Sequence, residues 1–108
     1  MNSLDLIVDK TENYDLFLKD AENHFNVGFY KLSMEYADAY NDEKEYILTA
    51  SPTKLSFRFR NNLEELICDI SSYLSKNYAN QVVGIRCVGE EKKLEQLKIR
   101  DVRTVIIR

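Results

Sequence analysis

The chain has 108 residues, 44% apolar and 31% charged, with a net charge of −3, the profile of a folded domain and not of a disordered tail. That length suits one domain around one core, so residues 1–108 are read as a single unit. No apolar run approaches the roughly 20 residues needed to cross a bilayer, and the acid-interrupted N-terminus has no basic region, so neither a membrane span nor a secretory signal is expected.

Charge divides unevenly along the chain. Residues 1–50 carry eleven acids against four lysines, and residues 51–108 carry eleven bases against seven acids, with all six arginines in the second part. Such asymmetry marks either an interaction surface or an acidic layer lying beside a basic one within the fold. The second reading is preferred, because surface charge speaks only weakly to partners.

The first dozen residues are ambiguous: Leu4, Ile7 and Val8 have helical spacing behind Ser3 as an N-cap, which leaves room for a short leading helix. From Tyr14 the apolar stripe runs Phe17, Leu18, Ala21, Phe25, Phe29, Leu32, Tyr36 and Tyr40, at steps of three and four. Residues 13–42 therefore read as one helix of about 28 residues, or as a helical hairpin broken at Asn26-Val27-Gly28. The pattern Phe17…Ala21…His24…Gly28-x-Tyr30…Ser33 resembles a single unit of the helix–turn–helix repeats. No second copy follows, and such units need stacked neighbours, so it is read as helix-packing chemistry.

Beyond Asn41-Asp42, Glu45–Ala50 reads as a strand, Ser51-Pro52-Thr53 as a tight connection, and Lys54–Arg60 as a second strand with Leu55, Phe57 and Phe59 facing inward. Asn62 with Glu65 three residues later opens a helix whose stripe is Leu63, Leu66, Ile67, Ile70 and Leu74, ended by Asn77–Asn80. Gln81–Val88 is a strand, Gly89–Leu97 a short helical turn, and Val102–Ile107 a final strand. The expected fold is α+β: a helix or helical hairpin, then β-β-α-β-(short α)-β, with about four strands and helices mainly on one face.

Chemistry-bearing motifs are sparse. His24 stands alone at a helix boundary and reads as structural. Cys87 reads as a core residue and Cys68 as the more reactive of the two cysteines. These cysteines lack metal-ligand spacing, as in a reducing, cytoplasmic protein. Three glycines, at Gly28, Gly84 and Gly89, form no phosphate-cradling loop. No cofactor and no catalytic activity are expected.

Two binding readings remain, with an unrecognised enzyme or enzyme subunit behind them. The first is a small protein-binding module of the inhibitor, adaptor or immunity type, such as phages and mobile elements encode. It would dock an acidic, tyrosine-bearing helical surface, Tyr30, Glu35, Asp38 and Asp42, on a protein partner. The second is a nucleic-acid binder using Arg58, Arg60, Arg86 and Arg103 on one sheet face. Alternation turns Phe57 and Phe59 away from Arg58 and Arg60, so these phenylalanines cannot stack bases beside them. A homodimer through an exposed edge at Val102–Ile107 is a further expectation.

Overall fold

A computed structural model describes residues 2–9, 11–60, 63–75, 82–88 and 105–107. The first element is a strand, β1 (Asn2–Val8), which resolves the ambiguous start against a leading helix. Leu4, Leu6 and Val8 alternate with Ser3, Asp5 and Ile7, and only the first set is buried. Pairing on both sides decides between the two periods. β1 lies in the interior of the sheet, antiparallel to a neighbour on each flank, so a period-2 face is buried.

Helix α1 (Tyr14–Phe25) begins at Asn13, whose side-chain Oδ1 accepts from the Leu16 N–H at 3.1 Å. Phe17, Leu18, Ala21 and Phe25 form its buried face. Asn26 ends it in the left-handed region at φ 53°. The Phe29 N–H then donates to Glu22 Oε2 at 2.9 Å, fixing the exit. The helix ends where the hairpin alternative put its break, at Asn26, but neither a long helix nor a second helix follows. The chain instead forms a β-hairpin, β2 (Tyr30–Ser33) and β3 (Tyr36–Asn41). The helical stripe misleads here for an arithmetical reason: a step of four residues is a whole number of periods in a strand as well as nearly one turn of helix. Tyr36 and Tyr40 thus share one strand face, while Ala37, Ala39 and Asn41 are buried on the other. The unit resembling a helix–turn–helix repeat is therefore a helix followed by a hairpin.

A four-residue turn, with Glu45 at φ 55°, leads into β4 (Tyr46–Ser51). Pro52-Thr53 then connects to β5 (Lys54–Phe59), giving the expected hairpin with Ser51 opposite Lys54. α2 (Leu63–Tyr73) buries Leu66, Ile67, Ile70 and Tyr73, with Leu74 buried just beyond. β6 (Val82–Val88) and β7 (Val105–Ile107) complete the described chain. The expected cap at Asn62, the helix end at Asn77–Asn80 and the helical turn Gly89–Leu97 lie outside the described residues.

The sheet has seven strands, in the order β2-β3-β4-β5-β1-β6-β7, where about four were expected. β2 through β6 form a six-stranded antiparallel array in which β1 is inserted between β5 and β6, and β7 runs parallel to β6. β5 and β6 are parallel to each other, as strand–helix–strand connectivity predicts, but β1 separates them. The α+β class holds; the three N-terminal strands are the correction.

Both helices contribute to one core with the inner sheet face, including Leu6, Leu48, Leu55, Phe57 and Phe59. Phe25 meets Phe57 at 5.1 Å and Tyr73 at 5.2 Å between ring centroids, and Tyr46 meets Phe57 at 5.7 Å. His24 is structural in this setting: its ring packs on Tyr73 and its Nε2–H donates to the Asp69 carbonyl at 2.9 Å, tying α1 to α2. Buried Asn41 closes the same end of the core. Its Nδ2 donates to the Phe25 carbonyl at 3.1 Å, and its Oδ1 accepts from the Lys44 N–H at 2.9 Å. Lys44 Nζ reaches Asp69 on α2 at 2.6 Å.

Candidate functional site

The second face of the sheet is built by the residues that alternate with the core. Among the described residues no helix packs on it. Cross-strand register arranges it in rows. Tyr30, Asp38, Thr49, Ser56, Asp5 and Arg86 follow one another across six strands. Alongside, Tyr40 stands opposite Ile47, Ile47 opposite Arg58, and Arg58 opposite Ser3. On the other flank Lys54 lies between Ser51 and Ile7, with Tyr36 at the β3 end. Tyr30, Tyr36 and Tyr40 are 59%, 42% and 56% exposed, so each offers a large ring surface to solvent.

The two carboxylates within this face are already engaged. Thr49 Oγ1 donates to Asp38 at 2.8 Å, and Ser56 Oγ donates to Asp5. Lys54 Nζ approaches Asp5 only to 3.9 Å, with its side chain 44% exposed. Arg58 and Arg86 are exposed and make no ion pair with a described residue. Tyr36, Thr49, Ser51, Lys54, Ser56 and Arg58 line a depression of about 290 Å³.

A wider hollow of about 1040 Å³ lies between the start of α1 and the β2–β3 turn, lined by Glu12, Asn13, Tyr14, Asp15, Lys31, Ser33, Met34 and Glu35. Its lysine is spent internally, paired with Asp15 and set 5.8 Å from the Tyr14 ring centroid. The Tyr14 hydroxyl donates to the Ala50 carbonyl at 2.7 Å. Burial raises its pKa, and the charges of Glu35, Asp15 and Asp38 raise it further.

Of the residues singled out from the sequence, Tyr30 and Asp38 come together as a cross-strand pair on the second face. Glu35 and Asp42 do not join them: they sit in turns at opposite ends of β3, roughly 23 Å apart along the strand. The acidic helix on which all four were expected does not exist. Arg58 and Arg86 share the second face, roughly 12 Å apart across two strand spacings and two residues of register. Arg60 is exposed just past β5, and Arg103 lies outside the described residues. The sequence reading missed Tyr36, Tyr40, Ile47 and Lys54 as members of one surface. The alternation of Tyr36 and Tyr40 with buried Ala37 and Ala39 was the available signal.

No group of three His, Cys, Asp or Glu side chains among the described residues is placed to hold a metal ion. No helix among the described residues is long and apolar enough to cross a membrane. Comparison with protein families, with curated proteins and with solved structures finds no match.

Proposed function

We propose that this chain is a non-catalytic protein-binding module whose contact surface is the second face of its sheet. The observation that carries the reading is the row Tyr40–Ile47–Arg58, flanked by exposed Tyr30 and Tyr36. Tyrosine and arginine are enriched at the centres of protein interfaces, because each gives large contact area with a polar tip. This keeps the inhibitor, adaptor or immunity class expected from the sequence and moves its surface from a helix to the sheet.

The nucleic-acid reading gains one point, since tyrosines and arginines do share a face. It is disfavoured by charge. Asp5 and Asp38 lie within the same face, and the whole chain carries −3, whereas polyanion binding rests on a run of unopposed cations.

A photo-crosslinking side chain in place of Tyr40, with the same group at exposed Lys19 on α1 as the control, tests the surface. The expected result is a discrete protein adduct from position 40 only, suppressed by excess wild-type protein and not by a Tyr36→Ser/Ile47→Ser double variant. Equal adducts from both positions, or equal suppression by both competitors, would overturn the assignment.

A further inference from the structure

We infer that the depression between Lys54 and Arg58 is a seat for one carboxylate, supplied by an aspartate or glutamate of the protein partner. The inference rests on the second sheet face being the contact surface. It adds the chemistry that the partner must bring.

Among the groups that line the depression donors are in surplus, while the Asp38 and Asp5 carboxylates bonded by its Thr49 and Ser56 hydroxyls keep their charge and are not themselves in the lining. Thr49 and Ser56 give their hydroxyl protons to Asp38 and Asp5. Those two bonds satisfy part of each carboxylate from within the sheet. Arg58 makes no ion pair among the described residues, and Lys54 makes only its 3.9 Å approach to Asp5. Two cations, the Ser51 hydroxyl and the Tyr36 ring therefore line a concavity of about 290 Å³. A guanidinium presents a rigid fork that matches a carboxylate, so charge and geometry select the same ligand group.

The surroundings limit how many negative charges can enter. Glu35 stands exposed at one end of β3, and Asp42, Glu43 and Glu45 stand exposed at the other. A polyanion extending over the face meets these acids, whereas a single carboxylate among neutral residues does not. Apolar contact is available on one side. Tyr40 lies two strands from Arg58 with Ile47 between them, a span of roughly 10 Å. The fitting partner segment thus carries one acidic side chain with an apolar side chain about that distance away.

The test uses the full chain, labelled for amide NMR, and four probes: capped acetyl-Leu-Ala-Ala-Glu-Ala-Ala-Leu-amide, its Gln and Lys counterparts, and a twelve-residue oligothymidylate. The expected result is saturable shifts at Ser51, Lys54 and Arg58 with the Glu peptide. Losing a charge-assisted contact predicts about tenfold weaker binding of the Gln peptide, or of the Glu peptide by a Lys54→Met/Arg58→Met variant with unchanged amide dispersion. Equal shifts with the Glu, Gln and Lys peptides, or Glu-peptide shifts confined to other residues, would overturn the seat. Tighter binding of the oligothymidylate than of the Glu peptide would also overturn it, in favour of nucleic acid. The two readings separate cleanly. Localised crosslinking from position 40 without Glu-peptide binding removes the seat alone, and Glu-peptide binding with unlocalised crosslinking removes the proposed surface and, with it, the partner's carboxylate as the occupant of the seat.

Discussion

Replacing Tyr46 with phenylalanine removes one buried oxygen from the end of the core that Asn41 closes and should change how stability depends on alkaline pH. Tyr46 is 1% exposed, and its hydroxyl donates a long bond, 3.5 Å, to the Phe25 carbonyl that Asn41 also holds. Burial, followed by the negative charge of Asp69, pushes its pKa up from 10.0 to about 12, with the bond to Asn41 opposing in part. The unfolded chain therefore loses this proton near pH 10 while the folded chain still keeps it. Below pH 10 the stability due to the neutral phenol is fully present, and it is lost as pH rises through the folded value. At pH 11 the wild type should have lost about 1.4 kcal/mol through this group alone. At pH 7 Tyr46→Phe should cost no more than about 1 kcal/mol, because the bond is long and the carbonyl retains Asn41. The difference between the two proteins should accordingly shrink to zero or reverse by pH 11. Urea unfolding followed by circular dichroism at pH 7 to 11 measures it; the chain has no tryptophan for fluorescence. Tyrosines common to both proteins cancel in the comparison. Stability curves that stay parallel from pH 8 to pH 11 would refute the assignment of a buried, protonated phenol.

Two further predictions concern the joints of the fold. Asn41→Ala should lower stability by about 2–3 kcal/mol, since it removes one bond to the end of α1 and one within the β3–β4 turn from a buried site. Thermal unfolding should show that loss as a midpoint lowered by roughly 10 °C or more. At Asn26, with φ 53°, valine should cost about 1–2 kcal/mol while glycine stays close to wild type, read by the urea midpoint.

How far the sequence discloses this fold depends on whether one period excludes the other. Leu55, Phe57 and Phe59 alternate in a stretch where no helical spacing competes, and Pro52 punctuates the turn, so the β4–β5 hairpin is legible. Leu66, Ile67, Ile70 and Leu74 allow only a helix. In β1, by contrast, Leu4, Ile7 and Val8 fit a helix as well as Leu4, Leu6 and Val8 fit a strand, because Ile7 is an apolar residue on the outer face. β3 hides its alternation, since its inward residues are two alanines and an asparagine while its bulky tyrosines face out. β2 has no buried side at all, so no hydrophobic period marks it. The outward direction of Arg58 followed from alternation alone. Its neighbours did not, because Tyr40 reaches it only through the order β3-β4-β5, and Asp5 only through the insertion of β1.

That insertion also disposes of the charge asymmetry. β1 belongs to the acidic half of the chain and lies between β5 and β6 of the basic half. Asp5 consequently sits opposite both Ser56 and Arg86, with Lys54 close by. Lys44 makes the reverse crossing to Asp69. The two halves are interleaved, and among the described residues no acidic layer faces a basic one. What survives on the second face is a finer pattern, with cations, tyrosines and the hydroxyl-bonded Asp5 and Asp38 inside and Glu35, Asp42, Glu43 and Glu45 at the rims beside β3. Exposed charges are screened beyond about 10 Å at ordinary ionic strength, so the rims act on a ligand's outer charges and Arg58 acts on the one placed over it. Lowering the salt should therefore strengthen binding of a singly acidic peptide and do little for a polyanion, for which attraction at the centre and repulsion at the rims grow together.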